Sequence, residues 1–147
     1  MKRQFIVVLV TLSFLITLAT ISAIAQSKRS LTFEVPFSFV VEGKTLQPGR
    51  YTFERFDANV PGTLVLKGVD GRTIKAFRTT RVEASEPEQD GKLTFMRFGN
   101  ENFLSEVWTG GERNGRRLPR SEAEIELRQQ GRTAETLFVR NQRPKKR

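Results

Sequence analysis

From Leu31 to Val41 the side chains alternate: Leu31, Phe33, Val35, Phe37, Phe39 and Val41 are apolar, and Thr32, Glu34, Pro36 and Ser38 stand between them. Successive side chains of an extended chain point to opposite faces, so this period of two predicts a half-buried β-strand. Only Val40 interrupts it. Pro36 has no N–H to give to a ladder, which places the strand at a sheet edge or breaks it into two shorter strands.

Turn signals then recur along the chain. Pro48-Gly49 predicts a type II turn, with proline setting φ of the first central residue and glycine supplying the positive φ of the second. Pro61-Gly62 is a break, and Asp70-Gly71 is a hairpin signal. Asp90-Gly91 opens a second hairpin, whose strands are linked through Gly99-Asn100-Glu101. The segments between them, 50–56, 63–67, 73–79, 92–98 and 102–108, are rich in β-branched and aromatic residues and read as strands. Residues 83–90 carry no periodicity and read as an exposed loop. Short strands at this spacing predict a mainly β fold, an antiparallel sandwich or small barrel of about 6–8 strands, over residues 26–110.

Beyond Trp108 the composition changes. Gly110, Gly111, Asn114 and Gly115 sit in an Arg-rich stretch that reads as a linker. One short C-terminal helix follows, with Ser121 as its N-cap, Glu124 at the capping-box position and Gly131 as the left-handed stop. A helix this short is unstable alone and must dock on the β domain. Residues 136–140 read as a final short strand, so that 111–140 packs on the domain as linker, helix and strand, and 141–147 reads as a disordered basic tail.

The N-terminus reads as a secretory signal peptide over residues 1–25: a positive start at Lys2-Arg3, an apolar run from Phe5 to Leu18, and Ala23-Ile24-Ala25 as the cleavage site. Gln26 is then the first mature residue, and the product is periplasmic or extracellular. The rival reading is an uncleaved anchor to the inner membrane, since residues 5–25 carry no charge and a spanning helix needs roughly 20 residues. Thr11, Ser13, Thr17, Thr20 and Ser22 dilute the run and favour cleavage.

Cysteine and histidine are both absent from the sequence. An exported chain without cysteine has no disulfide and depends on burial and backbone pairing. Without imidazole or thiol, Ser-His-Asp and Cys-His nucleophilic centres, zinc fingers and blue-copper sites are excluded. A carboxylate pair, a lysine nucleophile or a Ser-Lys dyad would still be chemically open, and no motif marks one. No glycine-rich phosphate loop or calcium loop is present, so the reading calls for no cofactor and no metal.

The chain has 25 basic and 16 acidic side chains, and the excess is uneven. From Gln26 to Glu112 the signs balance at 12 each, whereas Arg113 to Arg147 holds 11 basic residues against Glu122, Glu124, Glu126 and Glu135. Two clusters are candidates for anion binding: Arg113, Arg116, Arg117 and Arg120 on the glycine-rich segment, and Arg143, Lys145, Lys146 and Arg147 in the tail. Against them stand a flexible connector and a solubilising terminus. Trp108 reads as a packing residue rather than a stacking platform, and Tyr51, Phe53, Phe56, Phe95 and Phe98 read as core rather than as a ligand groove.

Several of these motifs occur together: Val35-Pro36-Phe37-Ser38-Phe39, Leu46-x-Pro48-Gly49-x-Tyr51, Asp70-Gly71-Arg72, Gly91-Lys92-Leu93-x-Phe95, Phe103-Leu104-x-x-Val107-Trp108 and Leu118-Pro119-Arg120-Ser121-Glu122-Ala123-Glu124. Their order resembles that of small exported β-rich proteins of acidobacterial type. The likeness covers most of the mature chain. It implies a signal peptide, a β body and a helix start, and its motifs specify fold rather than chemistry. The sequence therefore predicts a non-enzymatic exported envelope protein that acts by binding or structural association. The alternatives are a module for an anionic polymer or membrane surface, using the basic C-terminal region, and a carboxylate-based glycan hydrolase, which would need two acids facing one cleft.

Overall fold

Pro36 ends the first strand, and the chain changes sheets there. The computed structural model describes residues 30–55 and 60–141. β1 (Ser30–Val35) joins one sheet, whereas β2 (Phe39–Val41) and β3 (Lys44–Leu46) join another. β4 (Gly49–Arg55), β5 (Thr63–Lys67) and β6 (Thr73–Arg78) return to the first sheet, which runs β1-β4-β5-β6, antiparallel throughout. β7 (Thr80–Glu83) crosses over again. It completes the second sheet with β8 (Lys92–Phe98), β9 (Glu101–Trp108), β10 (Asn114–Arg117) and β11 (Glu135–Arg140), in the order β11-β8-β9-β10-β7. β2 lies parallel to the first half of β9 through Val40 and Phe103, on the edge whose second half pairs with β10.

Alternation along the strands buries one face of each sheet against the other. Phe33, Val35, Tyr51, Phe53, Leu64, Leu66 and Phe77 from the first sheet meet Phe39, Val41, Leu46, Leu93, Phe95, Leu104 and Val107 from the second in one core. Edge-to-face ring pairs knit it, including Phe39 with Tyr51 at 5.1 Å across the two sheets and Phe33 with Phe53 at 6.0 Å within one.

Both sides of the sandwich are closed by chain. On one, β1 lies against β11, and the Asn141 N–H donates to the Gly91 carbonyl at 2.8 Å. On the other, β6 turns into β7 at Thr79, whose backbone N–H and hydroxyl both donate to the Gly62 carbonyl at 2.7 Å. One end is tied by Lys75, 3.1 Å from the Glu42 carboxylate. At the opposite end the described residues leave a cleft between the sheets, spanned on one side by Arg55 and Glu112.

The mainly β class, with two sheets and one short helix, is as the sequence reads, and the described residues form eleven strands. The count exceeds the expected 6–8 because the run at 31–41 splits at a sheet crossing and because β3, β7 and β10 are strands outside the segments that the sequence marks. The predicted turn at Pro48-Gly49 needs correction: Gly49 has no positive φ and already belongs to β4. The left-handed residues are Glu42 (φ 44°) and Gly43 (φ 80°), which join β2 to β3 as the two-residue hairpin turn that requires positive φ twice. The segment read as an Arg-rich linker is also corrected, since residues 114–117 form β10, paired on both sides with β7 and β9.

The helix, α1 (Glu122–Gln129), starts where Ser121 accepts from the Glu124 N–H at 3.2 Å and is followed by Gly131 at φ 73°. Among the described residues, no helix is long and apolar enough to cross a membrane. The predicted signal peptide, Phe56 and the tail residues beyond Asn141 lie outside the described residues.

Candidate functional site

At that end, strands of both sheets present side chains to one cleft of about 280 Å³. Its floor is apolar, made by Leu31, Phe53, Leu64 and Val107, the ends of core rows from the two sheets. Its rim is polar. Arg55 at the end of β4, Arg81 in β7 and Arg116 in β10 bring three guanidinium groups around it, with Thr109, Glu112 and Asn114 between them. Glu112 is the one carboxylate among the described residues that line it.

The strand register explains the convergence. Arg81 and Arg116 are direct cross-strand partners in the β7–β10 pair, so two like charges stand side by side on one face. Opposed like charges destabilise a sheet, and here neighbours offset part of that cost. Arg81 Nε donates to Asn114 Oδ1 at 2.9 Å, and Arg55 lies 3.4 Å from Glu112. Arg116 makes no ion pair among the described residues, and its Nη1 would stand 4.0 Å from a Cβ added at Gly62. Among the described residues, three cations over one anion at a concave mouth with a low-dielectric floor make a positive field that an anionic group would complete.

The predicted cluster of Arg113, Arg116, Arg117 and Arg120 is not one site. Alternation along β10 sends Arg116 into the mouth and Arg117 to the outer face, where it donates twice to Glu106 Oε1 at 3.0 and 2.8 Å. Arg113 donates to the carbonyls of Ala84 and Ser85 at 3.3 and 2.7 Å, pinning the loop before β8. Arg120 stands 3.9 Å from Glu124, at the start of the helix. Arg143, Lys145, Lys146 and Arg147 lie outside the described residues. The sequence reading missed Arg55 and Arg81. Nothing local singles them out, because they come together with Arg116 only through the sheet order.

A second concavity, about 390 Å³, lies between α1 and the outer face of the second sheet. Two acids, Glu106 and Glu124, line it together. Each carboxylate is engaged by arginine: Arg117 on Glu106, and Arg128 on Glu124 through two donors at 3.2 and 3.0 Å. Neither is presented as the proton donor that a carboxylate hydrolase requires.

Trp108 is 6 % exposed and packs rather than projects. Its indole N–H donates to Glu106 at 2.9 Å, and Lys92 Nζ lies 5.3 Å from its ring centre. Tyr51, Phe53, Phe95 and Phe98 are buried, as core residues should be. Compared with known proteins, the chain matches no family, no curated protein and no solved structure.

Proposed function

We propose that this chain is an exported, non-enzymatic binding domain of the cell envelope, and that its mouth receives an anionic group. The observation that carries the reading is the convergence of Arg55, Arg81 and Arg116 on one apolar-floored cleft in which Glu112 is the single described carboxylate. Guanidinium groups hold phosphate, sulfate or carboxylate through paired N–H donors, and the mouth leaves Arg116 for that role. Export rests on the N-terminal pattern of residues 1–25. In the envelope the anion belongs to a polymer or a lipid surface, and the cleft lets one charged unit enter while the rest stays outside.

The test is retention of the mature chain on heparin and on anionic vesicles as salt is raised. Replacement of Arg116 or Arg81 by Gln should weaken binding by about tenfold each, the scale of one charge-assisted hydrogen bond. Binding that survives both substitutions and vanishes on deletion of residues 142–147 would transfer the function to the tail. No binding under low salt would end the anion reading altogether.

A further inference from the structure

The helix docks with a charged residue inward. Of its eight residues only Glu124 is buried, 3 % exposed, whereas Ile125 is 40 % exposed. An amphipathic helix normally buries its apolar stripe, and a buried charge costs stability unless it is paired. The two donors of Arg128 on its carboxylate offset part of that cost and set the inward orientation.

The groove beneath Glu124 holds unmet hydrogen-bonding capacity. Thr94 stands on β8 between Leu93 and Phe95, both wholly buried in the core, so alternation turns its side chain to the outer face under α1. It is only 7 % exposed, and its hydroxyl has no partner among the described residues. Such an orphan costs about 1–3 kcal/mol in a folded protein. Every contact on the Glu124 carboxylate falls on Oε1: the two from Arg128 and the longer one from Arg120. Oε2 has no partner among the described residues. Arg120, 3.9 Å from Oε1 and 61 % exposed, is held loosely and keeps N–H donors to spare.

We infer that this groove is a second binding site, separate from the arginine mouth, and that it takes a neutral ligand rich in hydroxyl groups, a sugar ring. The chemistry is complementary. Oε2 of Glu124 accepts from a hydroxyl, Thr94 both gives and accepts, and Arg120 donates to a ring or hydroxyl oxygen. A free anion is a poor match, since the groove already contains Glu106 and Glu124 and its other guanidiniums are engaged by them. Arg116 and Arg117, adjacent on β10, place the two sites on opposite faces of one strand.

The mature chain is titrated with glucose, N-acetylglucosamine and short β-linked oligomers of each, while backbone amide shifts are followed by nuclear magnetic resonance. Saturable shifts are expected at residues 94–96, 105–106 and 120–128. Thr94→Val should weaken that binding about tenfold and Thr94→Ser should restore most of it, a pattern that a packing role alone would not produce. Glu124→Gln should weaken it comparably, with circular dichroism confirming that the chain is folded. The inference is overturned if no probe shifts the groove, if shifts fall only at Arg55, Arg81 and Arg116, or if Thr94→Val binds as tightly as the parent. In the first two cases the groove takes no sugar, and in the third any sugar is held without the Thr94 hydroxyl.

Discussion

Trp108 occupies the space that a side chain at residue 115 would fill. The two are direct partners in the β9–β10 pair, and a Cβ built on Gly115 would stand 2.6, 2.7 and 2.8 Å from Cδ2, Cε3 and Cε2 of the indole. Those distances are below any real contact, and the indole is wedged in place by Lys92 and by its bond to Glu106. Gly115→Ala is therefore expected to destabilise the fold by about 1–3 kcal/mol, the cost of overpacking, although the backbone there is ordinary strand. Urea unfolding followed through this tryptophan, the only one in the chain, measures it. An unchanged midpoint would show that the indole moves aside freely.

Lys92 joins that cluster from β8. Its ammonium pairs with Glu88 and lies 5.3 Å from the Trp108 ring centre and 5.1 Å from that of Phe138, with its side chain only 13 % exposed. Partial burial strengthens both the ion pair and the cation–π contacts relative to surface examples. Lys92→Met keeps the stem but leaves Glu88 without its cation, so a loss of about 1–3 kcal/mol is expected. A double-mutant cycle with Glu88→Gln should give a coupling near 1 kcal/mol, and additivity of the two changes would mean that the pair contributes nothing.

Much of this architecture was legible because it is local. The alternation at 31–41, the glycine at Gly71 (φ 73°), the turn at Gly99 (φ 61°), one residue shorter than the expected Gly99-Asn100-Glu101 link, and the Ser121 cap all act within a few residues of themselves. What was not legible depends on distant partners. Asn114-Gly115-Arg116-Arg117 has the composition of a loop, and it becomes a strand because β7 and β9 supply partners on both sides and Gly115 accommodates an indole from the neighbouring strand. Arginines that look like a cluster in one dimension are parted by the pleat, Arg116 inward and Arg117 outward, while Arg55 and Arg81 arrive from elsewhere. A period-two reading of residues 113–117 was the one available signal, and glycine and arginine concealed it.

Ser121 is expected to control the helix more than its length would suggest. Its hydroxyl accepts from the Glu124 N–H at 3.2 Å, and Glu124 is the residue through which α1 is anchored. Ser121→Ala should cost about 1 kcal/mol, the usual worth of an N-cap. Because the anchor follows directly, the loss should show as faster amide exchange across residues 122–130 ahead of the β sheets. Uniform acceleration throughout the protein would instead mean that helix and sandwich open as one unit.

Tyr51 makes alkaline stability a single-residue question. Its ring is buried between the sheets, its hydroxyl donates to the Gln47 carbonyl at 2.5 Å, and burial raises its pKa above the ordinary tyrosine value by penalising the charged form. A folded pKa above the unfolded one means that the native state holds this proton more tightly. Its contribution is thus fully present below about pH 10 and is lost as pH rises through the higher folded value. Tyr51→Phe should cost about 1 kcal/mol near neutrality, from the lost hydrogen bond, and should flatten this part of the alkaline decline. Since the chain has one tyrosine, its ultraviolet absorbance reports the ionisation without overlap. A tyrosinate midpoint above about 10 in the folded protein is expected, moving to the ordinary value in denaturant; a folded midpoint at or below the denatured one would contradict the burial argument.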